Sequence, residues 1–214
     1  MYIRYHMTSD PISIRPDTTI GQARDILKAH NFRHLPVVDD GRHLIGMVTD
    51  RDIRSAYPSS VASSGYQDGL LEEVGNTKVE TIMSRDLCTL GPSSTLDDAL
   101  LLFEHHKVGA IPVIDREGKL VGIFSIRDLI EAYGSIFGLG DKGSTLIEIE
   151  DDGSPFVMKT LVDVLFKKGI DFTRLVRLRE KGVIFVRVNT FNIRSLLNAL
   201  KASGLRPLVP IKQI

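Results

Sequence analysis

Two short clusters in this 214-residue sequence have residue types and spacing that could do chemistry: Thr49-Asp50-Arg51-Asp52 and, 76 residues further on, Ser125-Ile126-Arg127-Asp128. Each follows a glycine and two apolar residues, Gly46-Met47-Val48 and Gly122-Ile123-Phe124. A hydroxyl at a strand end and an aspartate at the next helix start lie near one another, beside unpaired backbone amides. Such a carboxylate accepts two vicinal hydroxyls, as on a ribose, while the hydroxyl and the helix N-terminus favour a phosphate. The same residues also suit ordinary capping, with Thr49 and Ser125 as caps and the aspartates as first-turn charges. Recurrence of the cluster in register favours the ligand reading.

The elements that position these clusters are themselves duplicated. At the constant offset of 76, Met7 to Tyr57 returns as Met83 to Tyr133, with Asp10/Asp86, Pro16/Pro92, Thr19/Thr95, His30/His106, Pro36/Pro112, Gly46/Gly122 and Asp52/Asp128 identical. Each copy opens with an extended segment, Asp10 to Ile14 or Asp86 to Leu90, closed by Pro16 or Pro92. Thr19 and Thr95 are placed to cap helices whose apolar faces carry Ile20, Ala23, Ile26 and Leu27, or Leu96, Ala99, Leu102 and Phe103, with polar stops at His30-Asn31 and His106-Lys107. Two apolar runs joined by a turn follow, Leu35 to Val38 and Leu44 to Val48, or Ile111 to Ile114 and Leu120 to Phe124, and a second helix is expected from Asp52 or Asp128. The order strand, helix, strand, strand, helix gives an α/β (α+β) unit, repeated about a pseudo-twofold axis. Between the copies, Tyr57 to Val79 begins and ends as loop, with a short helix at Leu70 to Val74.

Composition narrows the function classes. Twenty-seven basic residues balance 27 acidic ones, so no broad nucleic-acid or membrane surface is expected and any anion site must be local. One cysteine, Cys88, excludes an internal disulfide framework and fits a small core residue in a reducing compartment. The amino end shows no apolar signal region and no long apolar run occurs, so a cytoplasmic location is expected. No nucleophile triad, phosphate loop, dinucleotide fingerprint or metal-spaced histidine pair is present, which argues against an enzyme.

The paired Leu-Pro-Val and Ile-Pro-Val strands with their Gly…Thr/Ser…Asp ends resemble the CBS domain family, whose paired repeats form a Bateman module that binds adenosine-containing ligands. The resemblance spans roughly residues 1 to 135 and implies repeats at 1–76, with the linker, and 77–135. It implies that Asp52 and Asp128 grip ribose hydroxyls, that Thr49 and Ser125 support ribose or phosphate, and that Arg33 and His34 point to phosphates, where the second copy has Gly109 and Ala110. Because each cleft of such a pair takes its adenine wall from the opposite repeat, one site combines Asp52, Thr49, Arg33 and His34 with Thr89, Val108, Gly109 and Ala110. The other combines Asp128 and Ser125 with Ser13 and Phe32; Arg51 and Arg127 reach phosphates or form surface ion pairs. The implied ligand is an adenine nucleotide (AMP, ADP or ATP), with NAD and S-adenosylmethionine as further adenosine compounds.

After Tyr133, the Gly-rich stretch Gly134 to Gly143 reads as a flexible joint, and residues 144–214 as βαββαβ: Ser144 to Glu150, a helix capped by Ser154-Pro155, a hairpin around Glu180-Lys-Gly182, a helix capped by Asn192, and a last strand, Leu208 to Ile211. That ferredoxin-like order, with the turn Asp151-Asp-Gly-Ser-Pro155, resembles the ACT domain, which implies a regulatory fold that often binds amino acids and often dimerises. The whole architecture is similar to AcuB-type acetoin utilisation proteins. Three function classes follow: a non-catalytic sensor of an adenosine ligand acting on the ACT-like domain or an unidentified protein partner, a constitutive homodimeric assembly module with vestigial clefts, and an amino-acid sensor.

Overall fold

The structure, a computed structural model, describes residues 1–57 and 67–208. Contacts sort the chain into two units, Met1–Ala132 and Tyr133–Ile214.

In the first unit the duplication holds down to hydrogen bonds. Helix α1 (Ile20–His30) opens on Thr19, whose Oγ1 accepts from the Gln22 amide at 3.2 Å while Gln22 returns an oxygen to the Thr19 amide at 3.0 Å. Helix α4 (Leu96–His106) repeats this box with Thr95 and Asp98. Both helices stop on a left-handed residue, Asn31 and Lys107, each with φ 53°. Strand β2 (His34–Val38) pairs antiparallel with β3 (Leu44–Thr49), and β4 (Ala110–Ile114) with β5 (Leu120–Ser125). Register places His34 opposite Thr49 and Ala110 opposite Ser125, with an irregularity at the same point of each hairpin, Val37/Val38 and Val113/Ile114.

The opening segments are exchanged between copies. Strand β1 (Thr8–Ser9) pairs with β5 of the second copy, and Ser84, which leads the second copy, bridges to Met47 on β3 of the first. The same crossing feeds the helices: the Ile20 amide donates to Thr77 O at 2.8 Å, and the Leu96 amide to Met1 O at 3.0 Å. Val79 and Met83 accordingly lie in the first copy's core with Ile20, Ala23, Leu35, Val37, Val48 and Ile53. The extended segments expected at residues 10–14 and 86–90 reduce to single parallel bridges, Ile14 to Val37 and Leu90 to Val113.

Helices α2 (Asp50–Ala56) and α5 (Ile126–Phe137) begin two residues before the expected Asp52 and Asp128. The aspartates occupy the third helical position and bond back to Thr49 and Ser125, so the strands run into the helices without an intervening loop. Helix α3 (Gln67–Asn76) extends the short helix expected at Leu70 to Val74 and packs on α1, where a side chain on Gly21 would meet the Gly75 carbonyl at 3.0 Å. The loop residues expected at 58–60 and 63–65 lie outside the described residues.

In the second unit, α5 continues to Phe137, into the stretch expected to be a joint. Its last carbonyls are taken by distant arginines: Arg174 donates to Ile136 O and Ser135 O, both at 2.7 Å, and Arg187 to Phe137 O at 2.9 Å. Strands β6 (Ser144–Glu150), β7 (Phe172–Leu178) and β8 (Val183–Asn189) form a sheet in the order β6-β8-β7. Helices α6 (Val157–Lys167) and α7 (Ile193–Ala202) cover one face, burying Ile147, Ile149, Leu161, Leu165, Val186 and Leu196. The described start of the expected last strand lies beside β6, where Ile149 bridges to Pro207 and the Leu208 amide donates to Glu148 O at 2.7 Å; residues 209–214 lie outside the described residues. Ser154 does not cap α6 as expected. Asp151 and Asp152 accept the Gly153 and Ser154 amides at 3.0 and 2.8 Å, and the helix starts only at Val157. Asn192 does cap α7, its Oδ1 accepting from the Ser195 amide at 3.1 Å.

Asp151 also takes the fork of Arg177, Nε at 2.5 Å and Nη2 at 2.7 Å, with the two side chains 2% and 15% exposed. That guanidinium holds the Asp151 carboxyl below the usual range. A depressed carboxyl stabilises the fold fully above its unfolded value of about 4, and the contribution is lost as pH falls through the lower folded value. Denaturant unfolding of wild type and Asp151→Asn should therefore differ most near neutral pH, and the difference should close in acid. A constant difference between pH 7 and pH 2 would contradict this role.

Candidate functional site

The two nominated clusters adopt one geometry. Asp52 Oδ2 accepts from the Thr49 amide at 2.8 Å and from Thr49 Oγ1 at 2.7 Å, and the Asp52 amide donates back to Thr49 Oγ1 at 3.2 Å. Asp128 and Ser125 repeat this at 2.7, 2.8 and 3.3 Å. Of the amides expected to be unpaired, those of Thr49, Asp52, Ser125 and Asp128 are thus taken within the boxes. One carboxylate oxygen of each aspartate is spent on capping, while Oδ1 of Asp52 and Oδ1 of Asp128 make no hydrogen bond among the described residues. All four side chains are half-buried.

Backbone pairing fixes the neighbouring positions. The Asp50 amide donates to Arg33 O at 3.0 Å and the Ile126 amide to Gly109 O at 3.1 Å, so Arg33 and Gly109 are equivalent points of the two copies. The copies then meet through His34: a Cβ on Gly109 would lie 2.9 Å from its Cε1 and 3.0 Å from its Nε2. A histidine from one copy fills the space that the absent side chain of the other leaves open. Burial pushes the His34 imidazole below 6.5; Asp50 opposes this, Arg33 adds to it, and Asp52 opposes it again.

Arg33 is exposed, Val108 half-buried and Ala110 buried. Thr89 lines an open pocket of about 430 Å³ with Arg4, Gly91, Ser93, Asp115 and Arg116, which contains none of the other nominated residues. Phe32 stacks on His30 with ring centroids 5.2 Å apart, and Ser13 is half-buried. Arg51 is exposed, and Arg127 is engaged by Glu131 at 3.0 Å. Cys88, expected in the core, is half-buried, and desolvation raises its thiol. No helix among the described residues is long and apolar enough to cross a membrane.

A family model described as CBS domain matches residues 3–59 and 79–135, more than half of the chain, and the chain belongs to that family. Inosine-5'-monophosphate dehydrogenase of Aquifex aeolicus is 31% identical over 125 residues, which cover 58% of this chain and only 23% of the dehydrogenase. The CBS domain-containing protein YhcV of Bacillus subtilis is 34% identical over 123 residues, 58% of this chain and 79% of YhcV. Among solved structures, CBSX2 in complex with AMP aligns with a TM-score of 0.54 at 25% identity, covering 64% of this chain and 98% of that one. A structure described as an acetoin utilization protein (AcuB) from Vibrio cholerae aligns equally, TM-score 0.54 at 25% identity, covering 66% of this chain and 96% of that one.

The surroundings of His34 define a titration. Its ring protons, followed by NMR, should show a midpoint below about 6.5. Asp50→Asn should lower that midpoint further and Arg33→Gln should raise it; a wild-type midpoint at or above 6.5 would contradict the burial.

Proposed function

We propose that this chain is a non-catalytic regulatory sensor whose CBS pair binds an adenosine-containing ligand, AMP, ADP or ATP in the first instance. Asp52 Oδ1 is the atom available for a ribose hydroxyl, with Thr49 steadying ribose or phosphate, Arg33 and His34 toward the phosphates, and Val108, Gly109 and Ala110 around the base, while Thr89, which lines the separate pocket, is left out of this cleft. The pseudo-symmetric cleft of Asp128 and Ser125, with Ser13 and Phe32, has no basic pair and takes a less charged adenosine compound or binds weakly.

The observation that carries this reading is the packing of His34 on Gly109. It sets the basic end of β2 against the bare start of β4, beside a capping-box aspartate with an unused oxygen. The AMP complex of CBSX2, and the 5'-methylthioadenosine and S-adenosylmethionine complex of a second CBS pair at TM-score 0.53 and 25% identity, support the adenosine class. Occupancy is passed to a partner or to the C-terminal domain, which we take as ACT-like from its strand order and the turn at Gly153; the chain works as a cytoplasmic homodimer. The matched part of the dehydrogenases is a quarter of their length or less, and no catalytic role is proposed from it.

A second reading, an assembly module with vestigial clefts, draws on the fact that both capping boxes are complete without a ligand. Calorimetric titration of AMP, ATP, NAD and S-adenosylmethionine separates the two. The sensor reading expects binding by wild type, loss of about tenfold or more in Asp52→Ala, and a much smaller effect of Asp128→Ala on the most charged ligand. No heat with any compound would leave the assembly reading in its place.

A further inference from the structure

The pocket holding Thr89 differs sharply from its counterpart in the first copy. At the offset of 76, Arg4, Gly91, Ser93 and Arg116 stand where the first copy has Glu80, Arg15, Asp17 and Asp40. In the first copy Arg15 is ion-paired to Asp40. In the second copy the arginine has become glycine and the aspartate arginine, so the ion pair is gone, an open volume of about 430 Å³ is left, and the wall charge is inverted.

The exchanged opening segment completes this wall, because the Ile3 amide donates to Ser94 O at 2.9 Å and brings Arg4 to the second copy. Arg4 is held over the rings of Tyr2 and Tyr5, at 4.8 and 5.2 Å, which orders its guanidinium. Neither Arg4 nor Arg116 has a carboxylate partner among the described residues, whereas Arg15, Arg42 and Arg54 do. Asp115, the acidic group in the wall, is turned into its own loop, Oδ1 accepting from the Glu117 and Lys119 amides at 2.9 Å each. Lys119 is paired with Glu117 at 2.7 Å.

We propose that this pocket binds a phosphate group, free or as a small monoester, between Arg4 and Arg116, with the Ser93 hydroxyl as a further donor. Two guanidiniums and a hydroxyl, against one carboxylate whose Oδ1 is taken by its own loop amides, leave a net positive wall that fits an anion better than a neutral or cationic ligand. Pocket size admits a small organic phosphate. The site lies at the turn end of β4, with Ile114 in its wall, whereas Ala110 at the other end of that strand belongs to the proposed adenosine cleft.

The test is calorimetric titration of inorganic phosphate and of glycerol phosphate into the full chain, and into Gly91→Arg/Arg116→Asp, which rebuilds the first copy's ion pair. Gly91 has room for a side chain, since its nearest non-neighbouring atom is Ser94 Oγ at 4.0 Å. Expected is binding by wild type, a loss of about tenfold or more in the double variant, a clear weakening in Arg4→Gln should the double variant not fold, and no change in Asp52→Ala. Tighter binding of glycerol phosphate than of inorganic phosphate identifies an ester as the occupant, and equal binding the free anion. The proposal fails if wild type binds neither compound, if the charge-restoring variants bind unchanged, or if Asp52→Ala abolishes binding, which would return the anion to the adenosine cleft.

Discussion

Everything in the first unit depends on the reciprocal exchange of the opening segments. A glycine on each inner strand makes room for it: a Cβ on Gly46 would lie 2.5 Å from Met83 Sδ and 3.3 Å from Ser84 O, and one on Gly122 would lie 2.6 Å from Met7 Sδ and 3.1 Å from Thr8 O. The backbone groups of β5 and of Met47 that a two-strand hairpin would leave unpaired are thereby bonded by the other copy. The hairpins also join directly, Leu44 to Gly118 at 3.2 Å and Leu120 to Arg42 at 2.9 Å. Neither copy is a complete structure alone, so the clefts at their ends form only when both are folded.

What could be read from the sequence is what is local or periodic. Thr19 and Thr95 as caps, Asn31 and Lys107 as stops, both hairpins and the alternation of β6 are written within a few residues of where they act. The helix starts at Asp50 and Ile126 were misplaced because an aspartate reads alike at the first and third helical positions; only the bond back to Thr49 or Ser125 distinguishes them. A repeat period states that two copies exist and is silent on which copy each opening segment completes. Arg174 and Arg187 act on carbonyls 38 to 50 residues away, and no local pattern marks such a pair. At the candidate site the residues were legible as types, whereas the meeting of His34 with Gly109 needed the exchange to bring the copies together.

The two copies share a backbone plan and differ in where positive charge lies. In the first copy it gathers at the start of β2, in Arg33 and His34, where the second has Gly109 and Ala110. In the second copy it gathers at the turn end of β4, around Arg116 and the donated Arg4, where the first has Asp40 and Glu80. A balanced total charge therefore hides two local basic sites on a pseudo-symmetric frame, and each would attract anions over no more than about a Debye length.

This arrangement limits how occupancy could be signalled. A ligand shifts an equilibrium only by its difference in affinity between two states. Strands that are paired across the copies leave little freedom to open one cleft alone, and Leu35, Val37, Val48 and Ile111 are fully buried behind them. Freedom remains in the exposed Arg33 and in the capping boxes, whose second carboxylate oxygens make no hydrogen bond among the described residues. A response at the proposed Asp52 cleft is therefore expected to consist of ordering side chains and stiffening a preformed frame, a difference carried by entropy and charge more than by strand movement.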